Sequence, residues 1–461
     1  MNTRARDGVF KVALILVLGA VLQGVTAQES DPFLDMFSDP NMIKEEKVEE
    51  LTESQAERFL VSDKVTLGGR FSFDGSFDWR KSVDKNLLYA GNLELTLDAR
   101  PDKAYRVFTK VDTSYPFADT NKNGGIEFDE AIEVKELYAD INWNEIIYGR
   151  IGKQTINWGV GRYFSPADVL NLTPIDLEDP DSERTGPVAL KLQLSNMVSN
   201  FYGYIIANDI SSVAALAYAP KYELVMGSTE IGLAGFYRMD MAPRLIVMAT
   251  FPLGQMDWYL EGVGAWGSDK TFVSESGGSY TIDDTAVFQA TAGFSYKYSD
   301  ALGNISLNTT GQVWYNGEGY WNPSLVRLGT SDPLRVSGII LAGDMTYPDM
   351  LYGAASISLG DIYRTGLSAA ATWYGGLAGA TGKVTPSLTY KHSDQLSLAI
   401  KMPVNYGPVG AEFSPNGNQI TPTLEAKLLG NTTISFAIPL VLGAVASTPF
   451  VLSFEFAKER F

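Results

Sequence analysis

The sequence has no cysteine and a single histidine, His392, in 461 residues. Without thiols there are no disulfides, no thiolate metal sites and no cysteine nucleophile. His392 is followed by Ser393 and Asp394, but successive side chains on a strand point to opposite faces, so the three cannot converge as a triad by adjacency. His392 reads instead as an interface residue at a strand end. No phosphate-binding loop or zinc constellation occurs, and the chain reads as a non-enzyme. Long apolar runs are missing as well. Past residue 27 the strongest is 437–446, short and interrupted by Pro439, whereas a spanning helix needs about 20 residues. Positive charge is scarce, with 36 Lys and Arg against 54 Asp and Glu. A chain this acidic repels polyanions, so nucleic acid is not an expected partner.

What is present begins with a processing signal. Arg4, Arg6 and Lys11 precede the apolar run 12–22, and small residues fill 25–27. This is the pattern of a signal peptide spanning 1–27. Its removal, with Asp7, takes the net charge from −18 to −20. Residues 28–63 form a second unit. Asn41 can cap a Glu-rich, Gly-free helix running through Ile43, Val48 and Leu51 to Leu60. Phe33, Met36 and Phe37 precede it, and the whole reads as a periplasmic extension or plug.

From residue 64 to 461 the period changes to two. Leu93, Leu95, Leu97 and Ala99 alternate with Glu94, Thr96, Asp98 and Arg100; Val188, Leu190, Leu192 and Leu194 alternate with Ala189, Lys191, Gln193 and Ser195. Such segments, about 10 residues long, suit tilted membrane-spanning strands. A soluble sandwich would show the same alternation, but three features favour a barrel. Aromatics gather near segment ends, as at Trp258–Tyr259, Trp314–Tyr315 and Trp373–Tyr374, where membrane interfaces favour them. Tight turns near 101–104, 144 and 300–303 alternate with long polar connections at 115–132, 155–186, 269–284 and 317–335. The chain ends in Phe461 after alternating Phe450, Leu452, Phe454 and Phe456, although Phe461 is out of phase with them. The expected fold is all-β: a closed antiparallel transmembrane barrel of about 20 strands, range roughly 16–22. Between 336 and 404 the alternation of short and long connections breaks down, so one strand there is spurious or missed.

Two motifs carry candidate chemistry. Residues 119–130 fit the twelve-residue EF-hand loop, with Asp119, Asn121 and Asn123 as side-chain ligands, Gly125 offering a carbonyl, Glu130 as the bidentate carboxylate and Gly124 at the sharp turn. Calcium is the cation such an oxygen cage takes, here between strands rather than helices. The second is the segment 149–192. Gly149-Arg150 and Lys153-Gln154 lead into Trp158-Gly159 and a loop with Pro166, Pro174 and Pro180. So long a loop within a domain is usually functional or disordered, and Trp158, Tyr163 and Phe164 give this one something to bury. Folded inward, it would set Arg150, Lys153, Arg162, Arg184 and Lys191 against Asp168, Asp176, Asp179 and Glu183, the opposed charges of a pore constriction. The polar face is uneven, charged in the N-terminal strands and mostly Ser and Thr in the C-terminal ones, as at Ser356, Ser358 and Thr385.

The segment 149–192 resembles a stretch of porin-like bacterial outer-membrane proteins, in which a Gly-Arg/Lys-Gln strand is followed by Trp-Gly and a Pro/Asp-rich loop. The C-terminal strand resembles the one such proteins present to the barrel-insertion machinery. The resemblance implies residence in the bacterial outer membrane, contact with its lipid, and a channel for diffusion of small polar solutes. Two other readings stay open: an uptake barrel for hydrophobic compounds with residues 28–63 as hatch, and a surface adhesin or structural barrel.

Overall fold

A computed structural model describes residues 64–78, 87–116, 132–144, 146–208, 212–300, 304–326, 341–360, 362–428, 432–437, 440–441 and 451–459. The expected signal peptide, the helical extension at 28–63, the 119–130 loop and Phe461 lie outside the described residues.

The strands, in chain order, are β1 Val65–Asp78, β2 Leu87–Asp102, β3 Tyr105–Pro116, β4 Ile132–Trp143, β5 Ile147–Lys153, β6 Val188–Ser195, β7 Ser199–Ile206, β8 Ala217–Met226, β9 Thr229–Phe236, β10 Arg244–Leu253, β11 Met256–Trp266, β12 Phe272–Val273, β13 Ser279–Tyr280, β14 Ala286–Ser299, β15 Ser306–Asn316, β16 Leu351–Gly360, β17 Leu367–Gly376, β18 Thr381–Ser393, β19 Leu396–Lys401, β20 Val404–Tyr406, β21 Gln419–Ile420, β22 Thr423–Leu428, β23 Thr432–Ala437, β24 Leu440–Val441 and β25 Val451–Glu459. Twenty-three of these segments form one sheet, and β12 and β13 form a separate hairpin. Helix among the described residues is limited to short 3-10 turns, and none of them is long and apolar enough to cross a membrane.

Every pairing in the large sheet is antiparallel, and nearly all join neighbours along the chain. β1 pairs with β2 on one side and with β25 on the other. The segments β19–β20 and β21–β22 are continuations of one another, because the register against β18 and across to the next strand carries through each break. The same holds for β23–β24. With each such pair counted once, the 23 segments become 20 strands.

The connections also explain the discord between 336 and 404. Four strands, β16 to β19, lie there, and the turn 377–380 between β17 and β18 is tight although it falls on the side of the long loops. A reading based on loop length alone loses its phase at that turn.

The two breaks inside β19–β20 and β21–β22 fall at prolines. Met402 N–H donates to the Pro386 carbonyl at 3.0 Å, and Thr421 N–H donates to the Pro403 carbonyl at 2.8 Å. Proline has no N–H to return, so each of these facing pairs keeps one hydrogen bond where an ordinary pair makes two. Pro386, Pro403 and Pro422 thus form a staircase across neighbouring strands.

The two faces of the sheet differ in a way that period-two patterning dictates. On β8, Ala217, Ala219 and Lys221 are buried while Tyr218 and Tyr222 are exposed; on β11, Glu261, Val263 and Ala265 are buried while Leu260 and Trp266 are exposed. The outer set is apolar and bare: Leu245 is 60% exposed, Ile400 56% and Phe288 55%.

Candidate functional site

The buried face is covered by the connection 154–187 between β5 and β6. It has no regular secondary structure, yet several of its apolar residues are among the most buried of the molecule. Trp158 is 0% exposed, Phe164 2% and Tyr163 3%. Ile156, Trp158, Ala167 and Leu170 pack on Ala189, Tyr204, Ile206, Ala219, Ala234, Phe236, Ile246, Met248 and Val263 of strands β6 to β11. The small alanines on the wall leave the room that the indole occupies. Tyr163 and Phe164 pack instead on Trp314, Tyr352, Ala354 and Tyr374 of β15 to β17, with Phe164 stacked 5.4 Å from Trp314.

Polar tethers complete the docking. Thr155 N–H donates to Glu136 of β4 at 3.1 Å. Arg162 and Tyr163 N–H groups donate to Gln312 Oε1 of β15 at 3.2 and 2.8 Å, and Gln312 Nε2 donates to the Phe164 carbonyl. Glu178 pairs with Lys383 of β18 and accepts from Tyr374 of β17. Glu183 lies 2.5 Å from Lys110 of β3, which also holds Glu94 at 3.0 Å.

These tethers require a rolled sheet. Glu136 and Gln312 lie nine strands apart along the sheet order, about 43 Å on a flat sheet at ~4.8 Å per strand. They bind loop residues 155 and 162, which at most ~25 Å of chain can separate. Side chains stand roughly perpendicular to a sheet and add little sideways reach. Only curvature brings both walls to one short stretch of loop.

The charged residues singled out in the sequence divide into a wall group and a loop group. Arg150 and Lys191 are cross-strand partners on β5 and β6. Arg150 binds Asp140 at 2.5 Å and lies 3.9 Å over the Tyr138 ring; the Lys191 ammonium lies 5.0 Å over Tyr202. Arg106 bridges Asp98 and Asp140 at 2.8 and 3.5 Å. Lys153 ends β5. In the loop, Arg184 pairs with Asp168, and Arg162 binds Asp181 at 2.6 Å. Asp176 accepts from the Glu178 N–H at 2.8 Å, and the Asp179 carbonyl accepts from Ser182 N–H at 2.9 Å. Arg162 and Arg184 are therefore met by carboxylates of the same loop, while Glu178 and Glu183 face the wall cations Lys383 and Lys110.

Sequence reasoning missed Glu261, Gln312 and Lys383 among the wall residues that hold the loop, whereas Glu136 and Lys110 lie on the charged face expected of the N-terminal strands. Glu261 carries one signal, a carboxylate in mid-strand flanked on its own face by Tyr259, Val263 and Ala265, with Asp257 of that face at the strand's start.

Above the loop, two further connections close in. The 407–418 loop contributes Phe413, which packs edge-on to Tyr374 at 5.3 Å, and Glu412, which accepts from the Tyr352 hydroxyl at 2.7 Å. Burial pushes the Glu412 carboxyl up to about 7, and the nearby Asp349 adds to the shift. Burial likewise pushes Tyr347 up to about 12 and lowers Lys270, whose ammonium donates to the Thr346 carbonyl at 3.0 Å. The β12–β13 hairpin packs Phe272 and Val273 on Tyr320 and Val326. His392 on β18 is exposed, its ring 6.1 Å from Tyr390, and Asp394 pairs with Lys391 at 2.7 Å. Among the described residues no group of His, Asp or Glu is arranged to hold a metal ion.

No protein-family model matches the chain, and no curated protein matches it. Solved structures do. The outer membrane protein OprD from Pseudomonas aeruginosa aligns over 86% of this chain and 94% of its own, at 9% identity and TM-score 0.44. OccK3 (OpdO) of Pseudomonas aeruginosa aligns over 87% and 97%, at 11% identity and TM-score 0.43. Wzi, an outer membrane protein involved in group 1 capsule assembly in Escherichia coli and described as a carbohydrate-binding β-barrel, aligns over 84% of each chain, at 9% identity and TM-score 0.41.

Proposed function

We propose that the chain is a porin-like channel of the bacterial outer membrane, a closed barrel of about 20 strands through which small polar solutes diffuse, with loop 154–187 as its constriction. Closure is supported by the pairing of β1 with both β2 and β25, which leaves neither terminal strand with a bare edge. Lipid contact is supported by the outer face, where large apolar side chains such as Leu245, Ile400 and Phe288 are bare. Water would disfavour such a band and hydrocarbon accepts it.

The observation that carries the channel reading is the course of loop 154–187. Its polar tethers run to β3, β4, β15 and β18, and its rings pack on two separate parts of the wall. A loop held across a curved polar wall narrows the passage without filling it with regular structure. Conductance of the purified protein in a planar bilayer tests this, alongside a variant lacking residues 177–183. That deletion removes Glu178 and Glu183, the partners of Lys383 and Lys110, and two further carboxylates, Asp179 and Asp181. The wild type is expected to give discrete conductance steps, and the deletion larger steps with weaker cation preference. A wild type that never conducts overturns the channel; equal conductance and selectivity remove the loop from the pore. Residues 119–130, with Asp119, Asn121, Asn123, Gly125 and Glu130, are proposed to bind calcium at the outer ends of β3 and β4.

A further inference from the structure

Glu261 is a carboxylate on β11 that is 3% exposed, and no ion pair to it is found among the described residues. Its charge is met wholly by the constriction loop. Oε1 accepts from the N–H groups of Val160 and Gly161, the latter at 2.5 Å, and from Ser165 Oγ at 2.9 Å. Oε2 accepts from Ala167 N–H at 3.2 Å and lies 3.1 Å from Ser165 Oγ. Three backbone N–H groups and one hydroxyl thus converge on a single anion, a concave array of the kind that binds anions through main-chain dipoles.

The sequence shapes this array. A Cβ on Gly159 would stand 1.8 Å from Ser165 Oγ and 2.6 Å from Glu261 Oε1, and one on Gly161 would stand 2.2 Å from the Phe164 carbonyl oxygen. Only glycine lets the chain fold this tightly round the carboxylate. The turn at 165–168, closed by Asp168 N–H on the Ser165 carbonyl at 3.0 Å, brings Ala167 N–H back to the same point. Of its register partners on the wall, Met248 on β10 has no side-chain donor and Thr291 on β14 donates its hydroxyl to the Val313 carbonyl at 2.9 Å.

We infer that residues 159–167 are a built carboxylate site in the loop, and that the wall's Glu261 is its resident ligand, whose occupancy fixes the loop across the lumen. The inference rests on the channel reading for its consequence but not for its chemistry. Removing the side chain leaves the donors in place and the site vacant, so a small free carboxylate of the same head group should enter it. Acetate and formate are the probes.

The experiment uses the full-length protein in detergent, with hydrogen exchange followed at the amides of Val160, Gly161 and Ala167, and single-channel conductance recorded in parallel. In Glu261→Ala those amides should exchange roughly tenfold faster or more. Sodium acetate or formate should restore protection saturably, sodium chloride at equal ionic strength should not, and the wild type should be indifferent to both. Glu261→Gln keeps one acceptor oxygen but turns an NH2 toward Ala167 N–H, so protection should fall at Ala167 while Val160 and Gly161 keep most of theirs. Acetate is expected to return the raised conductance of Glu261→Ala toward that of the wild type. Failure of acetate and formate to restore protection, or equal restoration by chloride, overturns the carboxylate site. So does full protection of all three amides in Glu261→Gln and Glu261→Ala alike. Rescue of exchange in a protein that never conducts would leave the site standing and defeat the channel.

Discussion

Replacing Trp158 with alanine tests the docking of loop 154–187 most directly. The indole is fully buried between the loop and the wall, packed edge-on to Tyr204 with ring centroids 5.3 Å apart. It lies in the cluster that joins Ile156, Ala167 and Leu170 to strands β6 to β11. The Lys221 ammonium sits 5.5 Å from its ring centroid and 3.5 Å from its carbonyl oxygen. Truncating a buried tryptophan costs about 3–5 kcal/mol through lost contacts and the cavity left behind. That converts to a docking constant weakened roughly a hundredfold to several-thousandfold, at about 1.4 kcal/mol per tenfold. No strand hydrogen bond involves Trp158, so the cost falls on the loop and not on the sheet. Two assays read it. In planar bilayers the variant is expected to show larger mean conductance and more open-channel noise than the wild type. In detergent it is expected to be cut by trypsin after Arg162 and Arg184, bonds that a docked loop shields, while the melting temperature of the barrel moves little. Unchanged conductance, noise and trypsin resistance, together with a lowered melting temperature, would refute the reasoning and place the indole's contribution in the barrel.

Three further outcomes are expected. The Glu412 carboxyl titrates near 7 when docked against an ordinary value of 4.5; an acid shifted upward favours the docked state most below the ordinary value and loses that contribution as pH rises through about 7. Hydrogen-exchange protection in loop 407–418, taken relative to the intrinsic exchange rate at each pH, should therefore fall between pH 5 and 8, and Glu412→Gln should flatten that dependence; a flat wild-type protection profile would dismiss it. The groups around this carboxyl are Tyr352, Asp349, Tyr347 and Lys270; burial moves Tyr347 upward as well, but to about 12 and so beyond this pH window, and moves Lys270 downward. Calcium should protect the 119–130 segment from limited proteolysis in the wild type but not in Glu130→Gln, with Kd of about 10⁻⁴–10⁻³ M; equal cleavage with calcium or chelator would reduce the motif to a polar turn. The absence of native cysteine makes topology readable by single substitutions: a membrane-impermeant maleimide should label Ser276→Cys at the tip of the β12–β13 hairpin on intact cells and leave Asn196→Cys in the β6–β7 turn unlabelled, and the reverse pattern would invert the barrel.

Much of the architecture was legible because period-two alternation is a local property. The segments around 93–100 and 188–195 read correctly as strands from side-chain character alone, and β2 and β6 contain them. The long connection 154–187 was legible too, since no strand signal crosses it and its rings need burial. Its partners were not. Glu261 and Gln312 lie about 100 and 150 residues from the loop backbone they bind, and nothing local marks a strand carboxylate as the receiver of a distant turn. The charged residues show the same limit. Arg162 and Arg184 read as candidates for opposition across a pore, but their nearest carboxylates, Asp181 and Asp168, sit in the same loop, and short chain separation decides the pairing. Loop length misled between 336 and 404 because the tight turn 377–380 breaks the rule that the other connections follow.

The proline staircase gives the wall a directional weakness. Where Pro386 faces Met402 and Pro403 faces Thr421, the ladder keeps half of its usual bonds, while the wall that carries loop 154–187 is braced on its inner side as well as along its strands. Heat or a lateral pull therefore finds a seam between β18 and β22, and the sheet should unzip there first, with the braced wall and its loop parting last as one piece.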